Sequence, residues 1–166
     1  MKTEKDLQDA FAGESQANRT YLAFAKKAEA EGYPMVAKLF RAAAEAETIH
    51  AHAHLRVLGR VKSTLENLQA AADGEAYEFK TMYPEFLKDA EAEGNKAATS
   101  SFTFAMKAEK IHNELYLKAV EALKAGKDLS TAKIYLCPVC GNVEIGEDGD
   151  EKCEICGTSR EKFIVI

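Results

Sequence analysis

Glu47-Thr48-Ile49-His50 and Glu109-Lys110-Ile111-His112 are two copies of one pattern, Glu-x-x-His, each set deep inside a long Ala-rich stretch. Residues three apart share a helical face, so each copy can offer a carboxylate and an imidazole to one metal ion. A single copy in an Ala- and Glu-rich helix is ordinarily an accident of composition. Two copies at equivalent positions of a repeat are not, and the surrounding sequence is such a repeat. Residues 21–32, YLAFAKKAEAEG, return as 83–94, YPEFLKDAEAEG, and the same offset carries Glu47 onto Glu109 and His50 onto His112.

Outward from these motifs the periodicity predicts helices over about 3–31, 34–58, 74–93 and 95–124, punctuated by Gly32, Gly59 and Gly94, with Pro34 in a first-turn position. Residues 60 to about 73 read as a longer connector. A tight turn, a long crossover and a second tight turn give a mainly α chain with the connectivity of a ferritin-like four-helix bundle. The repeat fails upstream by one residue, because Glu14 precedes Tyr21 by seven positions whereas Glu75 precedes Tyr83 by eight. One extra residue in a helix makes a π-turn, so a distorted turn is expected between Glu75 and Tyr83, beside Pro84.

At about 1.5 Å of rise per residue, Glu14 and Glu47 lie roughly 27 and 22 Å from the turn at Gly32, and Glu75, Glu78 and Glu109 lie at similar depths from the turn at Gly94. The inventory at this level is Glu14, Glu47, Glu75, Glu78 and Glu109 with His50 and His112. Such a hard oxygen and nitrogen set suits a pair of non-haem iron or manganese ions bridged by glutamates. Glu29, Glu31, Glu91 and Glu93 read as solvated helix ends, and Glu45 and His52 face away from the ligands. His54 fits packing or outer support better than ligation. Tyr21 and Tyr83 read either as core aromatics or as hydroxyl partners of ligand carboxylates.

The C-terminal part carries different chemistry. Cys137-Pro138-Val139-Cys140-Gly141 and Cys153-Glu154-Ile155-Cys156-Gly157 form a four-thiolate pattern with glycines placed for tight turns. Zinc and iron both occupy such spacing; the first knuckle and the adjoining redox-type carboxylate site favour iron. The expected division is a bundle at 1–125, a linker at 126–133 and a small β-rich metal domain at 134–166, too small to fold without its metal.

Composition sets the outer bounds. The 166 residues are 46% hydrophobic with a net charge of −5, enough for a folded core. No Lys/Arg block marks a nucleic-acid or membrane partner, no apolar run spans a membrane or resembles a signal peptide, and all four cysteines serve one motif. A cytoplasmic protein is expected. No Gly-rich dinucleotide loop is present, so NADH itself should not bind.

With both motifs placed, the chain resembles the rubrerythrin family over nearly its whole length, including Gly13-Glu14-Ser15-Gln16, Gly74-Glu75 to Glu78 with Met82-Tyr83-Pro84, and both Glu-x-x-His copies. That resemblance implies a di-iron bundle followed by a rubredoxin-like iron domain. Glu14, Glu47, His50, Glu75, Glu78, Glu109 and His112 would be the di-iron ligands and Cys137, Cys140, Cys153 and Cys156 those of the mononuclear iron. Glu47 and Glu109 would bridge, with Glu14 and Glu75 terminal and Glu78 and His50 exchanging on one iron as the redox state changes. Glu154 departs from the proline usual in the second knuckle, but lies between ligands. The resemblance further implies a peroxidase that reduces hydrogen peroxide to water in oxidative-stress protection. Its electrons would come from an external NAD(P)H-linked reductase or small carrier, and its dimers would set one subunit's rubredoxin-like domain near the other's di-iron site. A dioxygen-reducing oxidase, a ferroxidase or iron-storage protein, and a zinc-ribbon scaffold are the rival readings.

Overall fold

A computed structural model describes residues 1–130, 132–147 and 149–166, which form two compact units, Met1–Lys62 and Ser63–Ile166. The expected linker at 126–133 includes Thr131, which lies outside the described residues.

The first unit is a helical hairpin of α1 (Lys2–Ala30) and α2 (Pro34–Val57). Gly32 turns the chain at φ +82°, a region that L side chains rarely adopt, and Pro34 opens α2 where its missing N–H costs nothing. Ala25, Ala28, Ala37, Ala44 and Ala51 are the buried residues, so the two helices meet over methyl groups, and Asn18 Nδ2 donates across them to the Ala44 carbonyl at 2.7 Å. Tyr21, Phe24 and Phe40 cluster with ring centroids 5.5–6.5 Å apart.

The second unit begins with α3 (Thr64–Tyr77), continues through a π-turn (Glu78–Met82) into α4 (Tyr83–Ala92), and returns along α5 (Lys96–Lys124). The π-turn falls where the extra residue of the repeat predicts it. The start of α3 corrects the sequence reading, which assigned residues 60–73 to the connector and began this helix near Gly74. Ser63 Oγ accepts from Glu66 N–H while Glu66 Oε2 accepts from Ser63 N–H, and this capping box nucleates the helix at Thr64. The non-helical connector between α2 and α3 is thereby reduced to residues 58–63. Tyr83, Phe86 and Phe102 repeat the aromatic cluster of the first unit.

After α5 come three short antiparallel strands in the order β2-β1-β3: β1 (Lys133–Leu136), β2 (Val143–Gly146) and β3 (Ile164–Val165). The core of this small sheet is Cys137, Cys140, Cys153 and Phe163, with Phe104 of α5 packed against it. Four sulfur- or ring-bearing side chains are little apolar area for a fold of this size, the balance expected of a small fold built around a bound metal.

Candidate metal centres

Within the first unit Glu14, Glu47 and His50 bring one donor atom each to within 4.8 Å of one another. His50 Nδ1 lies 3.1 Å from Glu47 Oε2 and 3.6 Å from Glu14 Oε2. The helical rise puts Glu47 and His50 on one face of α2, and α1 presents Glu14 opposite them. Sharing a proton with Glu47 raises the Glu14 carboxyl and lowers that of Glu47, which His50 lowers further.

The second unit holds the equivalent set, Glu75, Glu109 and His112, again within 4.8 Å. Here burial is deeper. It pushes the Glu75 carboxyl up to about 7, with the hydrogen bond and charge of Glu109 adding to the effect. Glu75 Oε2 is buried and has no hydrogen-bond partner among the described residues. An orphaned buried carboxylate oxygen costs several times a typical net hydrogen bond unless a cation satisfies it, so this atom fits a metal ligand. Glu109 is held low, first by its 2.7 Å hydrogen bond from His112 Nδ1, and the same bond raises His112. His112 Nε2 on the other side of the ring lies 2.9 Å from the carbonyl oxygen of Gly141 and donates to it. A ring held through one nitrogen, with the other facing carboxylates, is how metal-binding imidazoles are oriented.

Glu78 stands apart from that close triad. Its carboxyl is raised by burial and by the charge of Glu109, so it lies in the same electrostatic field. Tyr83 is likewise raised by burial and by Glu109, Glu78 and Glu75, although no hydrogen bond joins its hydroxyl or that of Tyr21 to a ligand carboxylate among the described residues. His52 is exposed and His54 half-buried.

The four cysteines form the third cluster. Cys137 Sγ lies 3.6 Å from Cys156 Sγ, and Cys140 Sγ 3.5 Å from Cys153 Sγ. A tetrahedron with metal–sulfur bonds of about 2.3 Å has S–S edges of about 3.8 Å, whereas a disulfide is about 2.05 Å. The spacing therefore fits four thiolates around one ion. Each knuckle closes on a glycine at positive φ, with Gly141 N–H donating to Cys137 O at 3.0 Å and Gly157 N–H to Cys153 O at 2.8 Å. Burial opposes ionisation at Cys156, yet the Thr158 hydroxyl and N–H with the neighbouring thiols bring it down to about 6.

Three contributions escaped the sequence reading. The Gly141 carbonyl is a backbone atom 29 residues from His112, with no signature in side-chain identity. Phe104 is one of several apolar residues on α5, and nothing in its spacing singles it out. Asn113, next to His112, donates to the Ala72 carbonyl of α3 at 2.7 Å and fixes α5 against it.

Known proteins bear directly on these centres. The rubrerythrin family model matches residues 5–120. Rubrerythrin-2 of Clostridium acetobutylicum is 39% identical over 171 residues, covering 95% of this chain and 92% of that protein. Nigerythrin of Nitratidesulfovibrio vulgaris is 39% identical over 175 residues, covering 97% and 85%. The solved structure of fully reduced, all-ferrous nigerythrin superposes with a TM-score of 0.60 at 38% identity, covering 99% of this chain and 86% of that one. Together they establish a ferritin-like helical part with a small rubredoxin-like metal domain. The two carboxylate–imidazole triads and the four-thiolate cluster fit the di-iron and single-iron sites of that architecture. Among the described residues no helix is long and apolar enough to cross a membrane. On the family match, the identity over the full length and the shared fold, this chain belongs to the rubrerythrins, the di-iron oxidoreductases of oxidative-stress protection.

Proposed function

We propose that this chain is a peroxidase, taking hydrogen peroxide, two electrons and two protons to two waters at a di-iron centre that is re-reduced through its four-cysteine iron. The proposed ligands are Glu14, Glu47, His50, Glu75, Glu78, Glu109 and His112 for the pair and Cys137, Cys140, Cys153 and Cys156 for the single iron. The irons, when bound, supply the two electrons together, so that no one-electron step releases hydroxyl radical.

The residues of the chain do the rest. Glu75 and Glu109 bring carboxylate oxygens within 4.8 Å of one another, and a carboxyl raised to about 7 beside a second carboxylate can hold a proton and surrender it to a departing oxygen. His112 is tethered by Gly141, so its Nδ1 keeps facing Glu109 while charge changes around it. Glu75 Oε2 is buried, so bulk water does not reach that oxygen. Val139, 60% exposed between two cysteine ligands, offers apolar surface close to the thiolates for a docking electron carrier. An external NAD(P)H-linked reductase or small carrier protein is the proposed donor, and a cytoplasmic homo-oligomer the proposed form.

The observation that carries the reading is the 2.9 Å hydrogen bond from His112 to the backbone of the first cysteine knuckle, because storing or oxidising iron needs no thiolate centre wired to the carboxylate site. The test is anaerobic stopped-flow of the fully reduced protein against hydrogen peroxide and, separately, dioxygen. Peroxide should oxidise the pair much faster, with the ferric-thiolate absorbance rising afterwards as electrons leave that site. Faster oxidation by dioxygen would move the assignment to an oxidase, and bulk mineral loading to a ferroxidase.

A further inference from the structure

Resting on the di-iron reading above, we propose that each iron-pair site is completed by a second copy of this chain, the α1–α2 hairpin of one copy packing on α3–α5 of the other and reciprocally. Glu14, Glu47 and His50 of one chain then share a site with Glu75, Glu78, Glu109 and His112 of the other. The connector between α2 and α3 decides this. A ferritin-like bundle has one long crossover, which carries the chain back along the bundle so that α2 and α3 run parallel. Val57 ends α2 ten residues beyond Glu47, and Thr64 starts α3 eleven residues before Glu75. With the two glutamates level, these ends lie roughly 15 and 16 Å to opposite sides of them, at about 1.5 Å of rise per residue. A crossover within one chain must therefore climb about 31 Å, before any sideways step between helices. Residues 58–63 reach only about 25 Å from Val57 to Thr64 at full extension. Nor are they fully extended. Leu58, Gly59 and Arg60 donate their N–H groups back to the carbonyls of His54, Arg56 and Leu55, with Gly59 at φ +62°, so half of the connector folds onto the end of α2. The same six residues suffice when α3 belongs to a neighbouring bundle, because they then join the foot of one to the head of the next.

The hairpin, taken by itself, carries the face that such a partner covers. Helical spacing sets Val36, Leu39 and Val57 in one stripe of α2 with Glu47 and His50, and the three are 45, 69 and 70% exposed. The His50 side chain is itself 55% exposed. An apolar stripe interrupted by metal-ligating side chains is the inner face of a bundle, and α1 with α2 supplies only half of one. Exchange between two copies is reciprocal, so it closes as a twofold dimer and leaves neither hairpin bare.

Mixed dimers test the exchange. One form carries Glu47→Ala in the hairpin and the other Glu109→Ala in α5; they are co-expressed with different tags and purified through both. With exchange, one bundle of the mixed dimer collects both substitutions and the other collects none. The mixed dimer should then regain about half the native content of coupled iron pairs per chain, and about half the native peroxide turnover. Each parent variant, with one substitution in every bundle, should stay at least about tenfold below native on both measures. Iron at the four thiolates, which neither substitution touches, counts the chains in every sample. A mixed dimer no better than its parents would overturn the proposal, as would a native protein that is monomeric with its iron pairs intact. Where either variant fails to fold, His50→Ala and His112→Ala take their places with the same expectation. If the native protein itself holds no coupled iron pair, the di-iron reading fails, a result distinct from a native pair that the mixed dimer does not regain.

Discussion

Asn113 Nδ2 donates to the backbone carbonyl of Ala72 at 2.7 Å, joining α5 to α3 one residue beyond His112 and three before Glu75 in the facing helix. The bond is buried, and it fixes the axial position of α5 against α3, the two helices that carry the close group of Glu75, Glu109 and His112. Asn113→Ala should therefore lower the stability of the metal-free protein by about 1–2 kcal/mol. It should also weaken iron binding at Glu75, Glu109 and His112 while leaving the thiolate iron in place. Urea titration and iron content per chain check both; unchanged iron binding would mean that the helices keep their register without the bond.

Much of this site was readable because its chemistry follows helical periodicity. Glu47 with His50 and Glu109 with His112 are local pairs, and the repeat that relates them also exposed the extra residue now seen as the π-turn at Glu78–Met82. What escaped was either weakly patterned or carried by backbone. Residues 64–73 hold few large apolar side chains, so their helix showed little periodicity, and only the Ser63–Glu66 box betrayed its start. The Gly141 carbonyl could not be found at all from residue types, since every residue has one. Helical depth placed Glu78 level with the other candidate carboxylates, yet it gave no means of telling which of them join the close triad of Glu75, Glu109 and His112.

The cysteine module should lose its fold with its metal. Its core is three of the four ligands plus Phe163, and two-residue β3 adds only a short ladder. Chelation, or Cys137→Ser, should abolish amide protection across β1–β3 while α-helical circular dichroism stays within a few per cent of native. Persistent protection of Ile134 and Val143 amides in the metal-free protein would show that side-chain packing suffices.

The metal-free protein should become less stable as pH rises from about 5 to 8. Glu75 in the fold keeps its proton up to about 7, whereas the unfolded chain releases it near 4.5, so ionisation favours the unfolded state increasingly across that interval. His112, raised mainly by Glu109, adds stability that is present below 6.5 and is lost as pH climbs through its higher folded value. The lowered carboxyl of Glu109 contributes stability already complete above 4.5 and does not oppose this trend. Iron should reverse the slope, because ligands must shed protons to bind it. Thermal melts at pH 5.5, 7 and 8 with and without iron test the sign, and Glu75→Gln should flatten the metal-free curve between 5 and 7.

The π-turn is open to a sharper test by deletion. Removing Lys80, an exposed residue of that turn, restores the seven-residue spacing that joins Glu14 to Tyr21 in the first unit and lets the helix run with ordinary α geometry. Each residue taken from a helix turns everything beyond it by about 100° relative to what precedes it. Tyr83, Phe86 and Ala90 are held by the aromatic cluster and by α5, so the rotation should be taken up on the other side, swinging Glu75 and Glu78 away from Glu109 and His112. Helix content should survive, and the buried orphan oxygen of Glu75 should gain solvent. Iron per chain should then fall towards the single thiolate-bound ion, with peroxide-driven oxidation reduced at least a hundredfold. A deletion variant that retains both its full iron content and its rate would show that Glu75 and Glu78 do not depend on the extra residue for their aim.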